Sequence, residues 1–133
     1  HENGTPILAQ IGFVNCNVNG KQMMEVNDLT LEDIRTIQAD YVMAAKKIAF
    51  AGFDGIELCI GNNCYLSRVM DPFENTRDDD YGGNTYHRVR MVIEIIQLIK
   101  YLHTLFNFSH FSIFDAKNNF PIIISLIYGD DKL

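Results

Sequence analysis

The chain has 133 residues, 47% of them hydrophobic and 21% charged, with 9 glycines and 3 prolines, an ordinary globular composition that excludes a low-complexity or disordered chain. Seventeen acids against eleven bases give a formal charge of −6, with the signs interspersed, which argues against nucleic acid as a partner. The longest apolar run, Ile122–Ile124 with Leu126 and Ile127 beyond Ser125, falls far short of the roughly 20 residues of a membrane helix, and no apolar signal segment opens the chain. A soluble, cytoplasmic protein is therefore expected. The abrupt start at His1, without Met, points to further upstream sequence.

The first element is a short apolar run, Pro6 to Ile11, readable as a buried strand. Gly12 to Asn27, rich in Asn and Gly, reads as a loop. A helix is predicted from Leu31 to Phe50, capped by Thr30 with Asp33 as the acidic partner of the cap. Ile34, Ile37, Tyr41, Ala45 and Ile48 give it one apolar face, Ala44, Ala45 and Ala49 suit close packing on a sheet, and Gly52 is placed to end it. Gly55 to Ile60 follows as a second strand, then a long loop from Gly61 to Asn84 dense in Asn, Asp, Arg and Gly. Ordered loops of that length are often functional.

A second helix is predicted from Tyr86 to His103, capped by Asn84 or Thr85, with Val89, Ile93, Ile96 and Ile99 or Lys100 on its inner face. Thr104 to Asn119 is irregular and aromatic, and Pro121 to Ile127 is a third buried strand. Strand, helix, strand, helix, strand is an α/β arrangement with a parallel sheet.

In such folds ligands meet the carboxyl ends of the strands, here Gln10 to Cys16, Cys59 to Tyr65 and Ser125 to Gly129. Gln10 and Asn62 are amides that suit a flat heterocycle with alternating donors and acceptors. Tyr65 offers a proton, and Cys59 and Cys64 offer thiols. With Cys16 the cysteines number three, at irregular spacing and without a CxxC pair, which reads as thiols in a reducing compartment rather than a zinc site or a disulfide framework.

Four pieces, in this order and spacing, carry a resemblance: Ala44-Ala45; Ala51-Gly52-Phe53-Asp54-Gly55-Ile56-Glu57; Asn75-Thr76-Arg77-Asp78-Asp79-Asp80-Tyr81-Gly82-Gly83; and Arg88-Val89-Arg90. Together with Pro72 they resemble the old yellow enzyme family of NAD(P)H:flavin oxidoreductases, most closely from Leu29 to Ile99. The resemblance implies part of a (β/α)8 TIM barrel, about strands 3 to 5 with their helices, as one partial domain over 1–133. It also implies FMN as cofactor, NAD(P)H as reductant, and hydride transfer through the flavin to a small-molecule acceptor such as an activated alkene. Gln10 matches the glutamine that bonds the flavin pyrimidine. Asn62 matches the second member of the pair that holds the substrate carbonyl oxygen, where donors stabilise developing negative charge. The Tyr81-Gly82-Gly83 turn reads as scaffold, and Asp79 and Arg88 have charges and spacing suited to pairing across it.

The chain departs from the family pattern at several of these places. The first member of the carbonyl-binding pair falls on Cys59, a poor donor. The proton-donating tyrosine falls on Cys64, with Tyr65 one place later. The segment that should carry an arginine reads Phe13-Val14-Asn15-Cys16, and the cation expected beside the reduced flavin falls on Ser125. Three strands of eight would leave sheet edges exposed, a route to self-association. The competing reading is a non-catalytic remnant or interaction module of the same fold. A thiol or metal enzyme built on Cys59 and Cys64 finds no basic neighbour in the local sequence.

Overall fold

The computed structural model describes residues 4–12, 25–60, 64–106 and 122–125. Its elements run β1 (Leu8–Ile11), a single 3-10 turn (Val26–Asp28), α1 (Leu31–Phe50), β2 (Gly55–Cys59), α2 (Tyr65–Met70), α3 (Thr85–Phe106) and β3 (Ile122–Ser125). The three strands form one parallel sheet in the order β1-β2-β3, the arrangement the alternation of elements predicts. Among the described residues no helix is long and apolar enough to cross a membrane.

Helix α1 begins where its sequence says it should. The Thr30 hydroxyl accepts from the Asp33 N–H at 3.1 Å, and the Asp33 carboxylate accepts from the Thr30 N–H at 2.9 Å, a complete capping box. At the other end Gly52 has φ +86°, the left-handed conformation that lets its N–H reach the Ala49 carbonyl and close the helix. Two residues later Asp54 ties the strands together. Its carboxylate accepts from the Ile7 N–H at 2.8 Å, and its own N–H donates to the Ile7 carbonyl at 2.9 Å. This reciprocal pair sits at the entry to β1 and β2, and the register that follows pairs Ala9 with Ile56, Gln10 with Glu57 and Ile11 with Leu58.

Strand alternation then sorts the side chains. Ile11, Ile56, Leu58 and Ile60 lie in the core with Ile34, Ile37, Tyr41 and Ala45 of α1 and with Met91, Val92, Ile95 and Ile99 of α3. Gln10, Glu57 and Cys59 belong to the opposite face. The inner face of α3 differs from expectation, because Ile93 is exposed and the buried stripe runs through Met91, Val92, Ile95 and Ile99. Apolar residues occupy more than one face of this helix, so its spacing alone admits two stripes. Asn84 is its cap, with the side-chain oxygen accepting from the His87 N–H at 3.0 Å. The expected strand residues 126–127 lie outside the described residues.

The Gly61–Asn84 stretch is not simply a loop. It contains α2, whose Tyr65, Leu66 and Val69 are buried. Six residues are too few for a helical period to show in the sequence. Beyond α2 the backbone is held by polar side chains in place of a sheet or helix. Asn75, 2% exposed, donates to the carbonyls of Val69 at 2.6 Å and Tyr81 at 2.8 Å and accepts from the Arg77 N–H. Arg77 donates through Nη1 to the carbonyls of Val26 (2.9 Å) and Leu29 (2.7 Å), while Nε and Nη2 grip the Asp79 carboxylate.

Asn27 completes the clasp, donating to the Glu74 carbonyl and accepting from the Thr76 N–H. Arg68 of α2 pairs with Glu25 and Glu74. The expected Asp79–Arg88 pair does not form. Asp79 is taken by Arg77, and Arg88 spends its donors on the carbonyls of Met70 and Gly83 and on the Thr85 hydroxyl, because one guanidinium reaches three groups around the start of α3.

Two predictions follow from the clasp. A Cβ at Gly82 would lie 2.4 Å from the Arg77 carbonyl oxygen and 2.4 Å from the Arg77 Cβ, so Gly82→Ala should lower stability by about 1–3 kcal/mol in urea denaturation. An unchanged midpoint would mean the turn relaxes freely. The hydrogen bonds from Arg77, then that from the Tyr81 N–H, hold the Asp79 carboxyl below its usual value of 3.8. A carboxyl with a depressed pKa stabilises the fold above its unfolded pKa and loses that contribution as pH falls through the folded value. Stability of the wild type should therefore drop more steeply than that of Asp79→Asn as pH falls below about 4, and parallel acid transitions would refute the assignment.

Candidate functional site

The carboxyl ends of β1 and β2 bring three of the sequence-predicted residues together. Gln10 is exposed and donates through Nε2 to Glu57 Oε1 at 3.4 Å, across the β1–β2 register. Two residues further along each strand, Gly12 abuts Cys59: a Cβ on Gly12 would stand 2.9 Å from Cys59 Cβ and 3.5 Å from Cys64 Sγ. The strand end can therefore approach the thiols only because residue 12 is glycine. The next neighbour in register is Ser125 of β3, whose Cα pairs with that of Cys59, so the residue standing where the resemblance expects a cation is at the site's edge.

Cys59 ends β2 and Cys64 is the N-cap residue of α2. Both are thiols, 6% and 4% exposed, with sulfurs 2.8 Å apart. Burial, then the hydrogen bond with Cys59, pushes the Cys64 pKa from 9.0 up to about 11. A buried protonated thiol is a weak nucleophile and a weak donor. Among the described residues no group of three or more His, Cys, Asp or Glu could hold a metal, and Cys16 lies outside them.

Tyr65, one residue on, is the first residue of α2 and is 1% exposed within the core shared with the helices. The structure thus brings Cys64 to Cys59 and packs Tyr65 into the core. Asn62 lies outside the described residues, as do Phe13 to Cys16. Glu57 is the site residue that sequence reasoning missed. The signal was available, since alternation from the buried Ile56 and Leu58 puts Glu57 on the ligand face of β2.

A groove of about 450 Å³ between α1 and α3 is lined by Arg35, Gln38, Tyr81, Glu94, Gln97, Leu98 and Tyr101. Three of its polar groups are engaged with one another: Glu94 accepts from Gln38 Nε2 at 2.7 Å and from the Tyr81 hydroxyl at 2.9 Å. Burial, and then Glu94, raises the Tyr81 pKa. This network joins α1 to α3 on the helix side of the sheet.

Residues 7–119 match the NADH:flavin oxidoreductase / NADH oxidase family. The chain belongs to this family. Over 71 residues it is 42% identical to NADH:flavin oxidoreductase FG08077 of Gibberella zeae, covering 53% of this chain and 17% of that protein. It is 39% identical to enoate reductase 1 of Kluyveromyces lactis over 71 residues, 53% of this chain and 18% of the relative. Among solved structures it is similar to histamine dehydrogenase from Rhizobium sp. 4-9, with a TM-score of 0.59 and 26% identity over 72% of this chain and 13% of that one. The chain thus spans less than a fifth of the length of these two relatives. The resemblance read from the Ala-Gly-Phe-Asp-Gly and Asn-Thr-Arg motifs is therefore the right family, and the α/β fold is part of its TIM barrel.

The raised pKa of Cys64 sets a test in alkali. A group whose pKa is raised by folding stabilises the fold fully below its unfolded value, and that contribution is lost as pH climbs through the folded value, here between 9.0 and about 11. Urea midpoints of the reduced wild type should fall faster across that window than those of Cys64→Ser. Equal slopes would show that the thiol is not buried beside Cys59.

Proposed function

We propose that this chain is a truncated and impaired copy of an FMN-dependent NAD(P)H oxidoreductase of the old yellow enzyme type, which passes hydride to an activated alkene or similar acceptor. The observation that carries the proposal is the exposed Gln10 amide on the ligand face of β1, held across from Glu57 within a chain of this family. The residues present suit the pyrimidine edge of a flavin. With one Nε2 proton directed to Glu57, the second proton and the Gln10 carbonyl oxygen remain for a donor–acceptor edge. FMN, when bound, supplies the hydride chemistry.

The chain's own groups would bind and polarise. Asn62 would donate to the acceptor's carbonyl oxygen, and Cys59 would add little because a thiol donates weakly. Cys64 borders the same spot and stays protonated, which leaves Tyr65 as the hydroxyl that could complete the reaction. Its burial supports impaired proton delivery. Ser125 supplies no charge to hold an anionic reduced flavin. The partner of this site is a small molecule, in a cytoplasmic setting, and the outer sides of β1 and β3 offer edges for self-association.

The second reading, a non-catalytic remnant or interaction module of the same fold, is favoured by the two buried thiols that stand in place of hydrogen-bonding side chains. Titration with FMN separates the two. Quenching of flavin fluorescence with a shifted visible spectrum is expected, and Gln10→Ala should weaken binding by about 1–3 kcal/mol through loss of a directional amide contact. No spectral change at tens of micromolar flavin would favour the remnant, and unchanged affinity in Gln10→Ala would remove Gln10 from the flavin site.

A further inference from the structure

We propose that Cys59 and Cys64 are a reversible modification site, a dithiol that closes to an intrachain disulfide when a small hydroperoxide reaches it. The proposal stands on geometry and does not depend on flavin binding. The two sulfurs are 2.8 Å apart, less than 1 Å beyond the covalent separation of about 2.05 Å. Each is carried by an element that is fixed independently. Cys59 ends β2, the central strand, paired on both sides, and Cys64 caps α2, anchored through buried Tyr65, Leu66 and Val69. The loop-closure entropy of bringing the sulfurs together is therefore already met by folding.

Gly12 supplies the third wall. With no side chain there, the sulfurs have room on the β1 side that a Cβ, 3.5 Å from Cys64 Sγ and 2.9 Å from Cys59 Cβ, would occupy. Both thiols are buried, which selects a small oxidant over a bulky disulfide. The chemistry balances. Cys59 Sγ, once its proton has been lost to solvent, attacks a peroxide oxygen while Cys64 stays a thiol, the O–O bond breaks, and the alcohol (water, for hydrogen peroxide) leaves with a proton. The second sulfur then attacks the resulting S–OH sulfur, the S–O bond breaks and water departs. Two electrons pass from the thiols to the peroxide, and a thiol reductant reverses the step. Closure would join the end of β2 to the start of α2.

The test is peptide mapping of the full chain after treatment with hydrogen peroxide and alkylation of remaining thiols. The tryptic peptide 48–68 contains both Cys59 and Cys64. It should lose about 2 Da, take up no alkylating agent, and regain both labels after dithiothreitol. Cys16→Ser should behave as the wild type, and the peroxide-treated Cys16→Ser chain should unfold at higher urea concentration than its reduced form. Persistence of two alkylated thiols, a linkage through Cys16, irreversible oxygen addition on Cys59 or Cys64, or a lower urea midpoint after oxidation would each overturn the proposal.

Discussion

The Arg77 guanidinium is the tie on which the arrangement depends. Its donors run to the carbonyls of Val26 and Leu29 ahead of α1 and to Asp79 within its own turn, so one side chain joins the approach to the first helix with the approach to the last. Long irregular backbone cannot satisfy its own carbonyls, and buried unsatisfied ones are costly. Asn75, Arg77 and Arg88 supply the donors instead, which makes the stretch from Met70 to Thr85 an ordered part of the fold. Gly82 and Gly83 complete it, one by close approach to Arg77 and the other by a positive φ of 79°.

The consequence for function lies on the other side of the sheet. With helices docked on the Ile56 and Leu58 face, the opposite face is left to Gln10, Glu57 and Cys59, in register at adjacent strand ends. In the proposed reading this face is the one that meets flavin and substrate. It carries the Gln10 amide and, at the next residues of the same face, two buried thiols. Those thiols are close, buried and backed by a glycine, so the departure from the family pattern is itself a built feature with chemistry of its own.

Much of this was legible in the sequence, for identifiable reasons. The capping box at Thr30 and Asp33 and the glycine stop at Gly52 are local, and both behave as read. The strands at Leu8 and Gly55 are short apolar runs between turn signals. The α2 helix was hidden because it makes fewer than two turns, and the inner stripe of α3 because Val89, Ile93 and Ile96 offered a rival to Met91, Val92, Ile95 and Ile99. The partner of Arg88 was missed because backbone carbonyls leave no mark in a sequence. Glu57 was passed over as a motif letter, although strand alternation places it beside Gln10. That Cys59 and Cys64 touch is a tertiary contact between β2 and α2, which spacing does not encode.

The most direct measurement is amide chemical-shift mapping of the isotope-labelled chain on addition of FMN. The ligand face described above predicts perturbations gathered on Gln10, Gly12, Glu57 and Cys59, with α1 and the exposed side of α3 unmoved. Shifts concentrated on the groove between α1 and α3, or spread without preference over the molecule, would contradict it.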